Sequence, residues 1–202
     1  MIGIINANSG NLGSLINAFN FLNIEIEIIT ESSQISKFKK IVLPGVGNFV
    51  SLKKNLVDLD LYNGLKKFLN NENNFFLGIC VGMQILLTKG TEDKETDGFN
   101  FIKGNVINFN DIKRMKTPNI NWLNIQKKNN SQIFKDVTNT EFYFLHSYFC
   151  QIDDEKLILA KANYNGVEFP SVIKKNNVYG IQFHPENSRS QGLNILKNFS
   201  NL

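Results

Sequence analysis

Through the first half of the chain, short apolar runs alternate with segments in which apolar residues recur every three or four positions. This is the pattern of a parallel sheet covered by helices on both faces. Residues 1–7 (MIGIINA) predict a buried strand. A tight turn at Asn8-Ser9-Gly10-Asn11 leads into a helix over 12–22, with Leu15, Ala18, Phe19 and Leu22 on one face. Further strands are predicted at 25–29, at 40–43 and at 74–79. The second of these is stopped by Pro44-Gly45-Val46-Gly47, and the third runs directly into Cys80 and a helix over 81–87.

From about Gly98 the pattern changes to short strand-like runs at 105–109, 122–126, 141–145, 147–151, 156–162, 171–174 and 178–183, which read as antiparallel additions. A closing helix over 188–202 carries Leu193, Leu196, Lys197 and Phe199 at helical spacing. The fold class is therefore α/β: a mostly parallel central sheet with helices on both faces, plus antiparallel strands in the C-terminal half. No linker or internal repeat divides the 202 residues, so a single domain over 1–202 is expected.

Composition narrows the function. With 42% hydrophobic and 20% charged residues the chain can build a full core. Its net charge of +4 comes from basic residues spread along the whole length, the longest runs being pairs such as Lys39-Lys40 and Lys127-Lys128. Nucleic-acid binders concentrate such charge, so a nucleic-acid partner is not expected. No apolar run approaches the roughly 20 residues that span a bilayer, and nothing at the N-terminus marks export, so a cytoplasmic location is expected. Cys80 and Cys150 belong to no CxxC or Cys/His cluster, so neither a metal site nor any other cofactor is expected, and Cys150 reads as a small core residue.

The sharpest chemical signal is Gly78-Ile79-Cys80-Val81-Gly82 between a strand and a helix. A strand that turns abruptly into a helix needs small residues two before and two after the exposed nucleophile, because side chains there would collide. The helix N-terminus behind such an elbow favours a thiolate. His184 and Glu186 lie two apart near the end of a predicted strand, placing the carboxylate beside the imidazole. Cys80, His184 and Glu186 thus form a candidate triad. Gly45, Val46 and Gly47 sit at a strand end, where backbone amides can approach a ligand, and with the Val81 amide they make a candidate oxyanion hole. The loop lacks the Gly-Lys-Ser/Thr ending of a phosphate loop, and Ser9-Gly10-Asn11-Leu12-Gly13 lacks GxGxxG.

LPGVG, GICVGMQ and GIQFHPE, in that order, resemble the motifs of the class I, triad-type glutamine amidotransferases. Within them the chain most resembles the glutaminase subunits of imidazole glycerol phosphate synthases, of histidine biosynthesis. The opening IINANSGNLGSL, the GVG loop, the stand-alone length and Phe142-Tyr143-Phe144-Leu145-His146-Ser147-Tyr148 point there. The resemblance implies that Cys80 attacks the side-chain amide of glutamine, that His184 moves the proton and that Glu186 orients it. Gln84, Ser147 and Tyr148 would hold the substrate, while His146 is expected to be structural. It also implies a heterodimer with a (βα)8-barrel cyclase subunit that receives ammonia through a tunnel. Activity would stay low until that partner binds its nucleotide, with the GVG loop completing the oxyanion hole in response.

In one segment the chain departs from these relatives, which usually carry Pro-His-Met/Ile-Gly-Trp-Asn. Here Pro118 and Trp122 remain, but Asn119 replaces the His and Asn121 the Gly, in a stretch that relatives place near the subunit interface. Two alternatives stay open on this reading. One is a paralogous subunit feeding ammonia to another synthetase, such as one amidating a sugar for surface polysaccharide, and the other is a non-catalytic binding domain of the same fold. A peptidase or free amidase with the same elbow is disfavoured by GMQ and HPE.

Overall fold

A computed structural model describes residues 1–8 and 12–202. The tight turn expected at Ser9-Gly10-Asn11 lies outside the described residues. Strand β1 (Ile2–Ile5) leads to α1 (Leu12–Phe21), β2 (Ile26–Ile29), α2 (Ser32–Ile35) and β3 (Lys40–Gly45). Helices α3 (Phe49–Asp58) and α4 (Leu61–Leu69) precede β4 (Phe75–Cys80), which enters α5 (Val81–Gln84) without a loop. The short strands β5 (Lys89–Gly90) and β6 (Thr96–Asp97) follow, then β7 (Gly104–Asn108), β8 (Asn119–Lys127), β9 (Glu141–His146) and β10 (Tyr148–Ile152). The chain ends with β11 (Ile158–Tyr164), β12 (Val167–Lys175), β13 (Val178–Ile181) and α6 (Arg189–Asn201).

Nine strands form one mixed sheet in the order β2-β1-β3-β4-β13-β12-β11-β8-β9. Pairing is parallel from β2 to β13 and antiparallel from β13 to β9. The parallel half is apolar because it is covered on both sides: every residue of β1 is buried, as are Ile41, Val42, Leu43, Phe76, Leu77 and Ile79. Helices α1 and α6 pack together, whereas α2 and α3 both pack on α4. Right-handed crossovers in opposite directions from β1 put these two groups on opposite faces. Strand β9 instead alternates buried and half-buried residues, as a sheet with one wet face does.

A second, four-stranded sheet, β10-β7-β5-β6, was not foreseen in the hydrophobic pattern. The runs at 141–145 and 147–151 belong to different sheets, and the chain crosses between them at Ser147. Phe109 fills the space there, its ring 4.7–5.4 Å from those of Phe149, His146, Phe169 and Tyr164.

The hydrophobic stripe of α1 is as expected: Leu15, Ala18 and Phe19 are buried, and Leu22 packs beside them. In α6 the buried face holds Ile195 with Leu196 and Phe199, while Lys197 points to solvent and Leu193 is half-buried. Helices α3 and α4 fill a stretch in which the pattern assigned no element. Asn48 caps α3 by accepting from the Ser51 amide at 2.7 Å. The helix after Cys80 is a single turn, Val81–Gln84, and not the longer one over 81–87.

Candidate active site

The C-terminal ends of β3 and β4 and the segment leaving β13 converge on Cys80, since Gly45 pairs with Cys80 in register and Ile181 with Ile79. Cys80 adopts φ 55° and ψ −110°, a conformation costly for any residue with a side chain, on the order of 1–3 kcal/mol. What holds it there is close packing of backbone on backbone. A Cβ on Gly78 would lie 2.1 Å from the Gly82 carbonyl oxygen, and one on Gly82 would lie 2.0 Å from that of Leu43. The two glycines therefore do what the spacing GxCxG requires. Because α5 is one turn long, its macrodipole is short, and the unpaired amides behind the sulfur matter more.

His184 and Glu186 are brought together as expected, by a different local structure. Strand β13 ends at Ile181, and His184 stands at the entrance of a 3-10 turn, Pro185–Asn187. That turn, not an extended chain, swings the Glu186 carboxylate onto His184 Nδ1 at 2.8 Å. Ser188 fixes the backbone: its hydroxyl donates to the His184 carbonyl at 2.6 Å and accepts from the Tyr143 amide at 2.9 Å. The His184 amide donates to the Tyr143 carbonyl at 2.9 Å. Burial alone would push His184 down, but the Cys80 sulfur and then Glu186 outweigh it and hold its pKa well above the ordinary histidine value.

A cavity of about 230 Å³ opens over the sulfur, lined by Val46, Gly47, Cys80, Val81, Gln84, Glu92, Pro118, Leu145, His146, Ser147, Tyr148 and His184. The structure thus gathers Cys80, His184, Val46, Gly47, Val81, Gln84, Ser147 and Tyr148 around one space. Glu186 sits behind His184, as an orienting group should. Gly45 is the exception, because it does not line the cavity. A Cβ there would lie 2.7 Å from the Gly82 nitrogen, so the lack of a side chain at Gly45 serves the packing of β3 on α5. Gly47 has φ 111°, which favours glycine, and a Cβ there would meet no atom within 4 Å.

Two participants were missed by the reading of the sequence. Among the described residues Glu92 is the only carboxylate lining the cavity, and its Oε2 accepts from the Phe49 amide at 2.8 Å. Burial, countered by that amide and reinforced by Asp93, holds its pKa above the usual carboxylate value. In the sequence it stands in a charged run, TEDKE, that reads as a solvated loop. Gln182 is fully buried, with Nε2 3.6 Å from Cys80 Sγ. Its signal was available, since it stands two residues before His184 in Gly180-Ile181-Gln182-Phe183-His184.

His146, expected to be structural, is buried and also lines the cavity, with Nδ1 2.9 Å from the Tyr148 carbonyl oxygen and Nε2 3.2 Å from Asn119 Nδ2. Cys150 is a buried core residue. Among the described residues no group of three or more His, Cys, Asp or Glu could hold a metal ion, and no helix is long and apolar enough to cross a membrane.

Residues 4–201 match the family model for class-I glutamine amidotransferases. Imidazole glycerol phosphate synthase subunit HisH of Methanocaldococcus jannaschii is 41% identical over 203 residues, covering 100% of both chains. The subunit of the same name from Leptospira borgpetersenii is 34% identical over 206 residues, again covering 100% of both. Among solved structures, a glutamine amidotransferase superposes with TM-score 0.74 at 16% identity, covering 99% of this chain and 97% of that one. The PurLQS structure from Thermotoga maritima gives TM-score 0.70 at 15% identity, covering 99% and 97%. At those identities the two structures speak to the fold.

Proposed function

Because this chain belongs to the class-I glutamine amidotransferase family, we propose that it is the glutaminase subunit of an imidazole glycerol phosphate synthase, hydrolysing glutamine to glutamate and passing on the ammonia. The observation that carries this reading is the strained Cys80 facing His184 and Glu186 at the floor of a cavity that Glu92 lines with a carboxylate. A free amino acid brings an ammonium group, and Glu92 is the acceptor for it. Gln84 donates through Nε2 to the Tyr148 carbonyl and to Gln182 Oε1, which leaves its own oxygen to accept from the substrate.

With glutamine so held, the Cys80 thiolate adds to the side-chain amide carbon. The oxyanion that forms takes hydrogen bonds from the amides of Val81 and the Val46-Gly47 loop, each worth roughly a hundredfold in rate. As the C–N bond breaks, the His184 imidazolium protonates the nitrogen and ammonia leaves. Neutral His184 then takes a proton from water, whose oxygen attacks the thioester carbon and releases glutamate and the thiolate. Glu186 holds Nδ1 throughout, which keeps Nε2 for the proton that moves.

The ammonia acceptor is a (βα)8-barrel cyclase subunit, supported by full-length similarity to HisH subunits. The departure at 118–124 does not weigh against this partner. Asn119 is fully buried and bonded to His146 and Asn121, so this difference from relatives lies inside the protein, while Asn121 is half-buried and Ile120 between them is 54% exposed. The test is glutamate release by the chain together with the cyclase subunit and its ribonucleotide. Cys80→Ala should lower the rate on the order of 10⁴-fold or more, with folding intact by circular dichroism. Unchanged release would remove the triad assignment.

A further inference from the structure

Behind Cys80 the buried polar groups form one connected chain in which every donor and acceptor is determined. It is anchored at a backbone carbonyl, which can only accept: Tyr148 O receives Gln84 Nε2 at 2.9 Å and His146 Nδ1 at 2.9 Å. With its nitrogen fixed on that side, Gln84 directs its second hydrogen to Gln182 Oε1 at 3.2 Å. That contact orients the Gln182 amide, because an oxygen turned to Gln84 leaves the nitrogen turned to Cys80, 3.6 Å from Sγ.

The other arm has equally fixed polarity. His146 carries its proton on Nδ1, and burial pushes its pKa down to about 3, so the ring is neutral and Nε2 accepts from Asn119 Nδ2. Asn119 Oδ1 in turn accepts from Asn121 Nδ2 at 2.8 Å. Gln84, Gln182, Asn119 and His146 are 2%, 0%, 0% and 6% exposed, so none can turn over without orphaning a buried group.

We propose that Gln182 is a further catalytic residue, a preoriented donor to the Cys80 sulfur, with Gln84, the Tyr148 carbonyl, His146 and Asn119 as its positioning groups. The proposal rests on the glutaminase reading for the identity of the nucleophile. A nucleophilic sulfur carries negative charge before attack and again as thioester hydrolysis ends. A donor already aimed at it stabilises that charge without reorganising, from a direction other than that of His184. The sulfur's other polar neighbour is the Leu145 carbonyl oxygen at 3.8 Å, which cannot donate, so Gln182 is the side-chain donor on this side.

The experiment uses the full chain with Gln182→Met, which keeps the volume and loses the donor, and Gln182→Glu, which still accepts from Gln84 but presents an oxygen to the sulfur. Two readouts need no substrate: the ultraviolet thiolate absorbance at neutral pH, taken as the difference from Cys80→Ala, and the rate of alkylation by iodoacetamide. Cys150 is silent in both, because burial pushes its thiol up. Both variants should give a smaller thiolate signal and alkylate about tenfold more slowly, the factor for one hydrogen bond to a charged group, with Glu worse than Met. In glutamate release kcat should fall while KM holds, since Gln182 touches the sulfur and not the substrate. A folded Gln182→Met protein with wild-type absorbance and alkylation overturns the proposal, whatever the Glu variant does. Failure of the glutaminase reading would show separately, as glutamate release that survives Cys80→Ala.

Discussion

The chain's two histidines are both buried, and burial ends in opposite results for them. At His184 the desolvation cost is outweighed by the Cys80 sulfur and Glu186, so the charged ring persists to higher pH than in the unfolded chain. At His146 burial prevails over the Tyr148 carbonyl, and the ring titrates only at about 3. The consequence for stability follows from linkage. His146 favours the fold fully above its unfolded pKa, near 6.5, and this contribution is lost as pH falls toward 3. Between pH 6 and 4, urea-unfolding free energy should therefore fall more steeply for wild type than for His146→Gln, by up to about 1.4 kcal/mol per pH unit. Parallel curves would mean that the folded protein protonates His146. Of the site residues, Cys80, His184 and Glu186 were legible because each motif states a local need: space around an elbow, and a carboxylate two residues from a base. Glu92 was not, since its role comes from meeting the Phe49 amide across the fold, and nothing in TEDKE signals that contact.

Among the elements, the β4–α5 elbow was legible and its cause is local, whereas β5 and β6, two residues each, are too short to leave a hydrophobic period. Helices α3 and α4 did carry a readable stripe, Phe49, Leu52 and Leu56 in the first and Leu61, Leu65 and Phe68 in the second, diluted by Asn and Lys between. The elbow and the loop beside it should respond differently to the same added methyl group. Gly82→Ala drives Cβ into the Leu43 carbonyl, backbone against backbone, and should cost about 2 kcal/mol or more in stability, seen as a lowered Tm. Gly47→Ala meets no atom within 4 Å and carries only the strain of φ 111°, so it should lower glutamate release more than it lowers Tm. The reverse order would place the oxyanion donors elsewhere.

In the whole molecule, the candidate catalytic groups come from the parallel half of the large sheet and from the crossing into the small one. β3, β4 and β13 supply the loop, the nucleophile and the base, and Ser147 and Tyr148 close the cavity where the chain changes sheets. This convergence of distant segments was legible only through family motifs, since hydrophobic periodicity says nothing about which strand ends meet. Alone the chain should turn glutamine over slowly. Adding the cyclase subunit with its nucleotide should raise glutamate release by at least about a hundredfold, the contribution of one oxyanion donor. Rapid turnover by the isolated chain would contradict that coupling.

The stretch between β3 and α3 is pinned at both ends. Gly45 is held in register with Cys80, and Phe49 is tied to Glu92, with Asn48 Nδ2 bonded to Asp93 Oδ2 at 2.9 Å. A span of three residues between two anchors works as a crankshaft. It can rotate a peptide plane in place, presenting N–H where C=O had been, but it has no slack with which to travel. Held in this way, the Val46-Gly47 span can change which backbone group it presents to the cavity, but not where it lies.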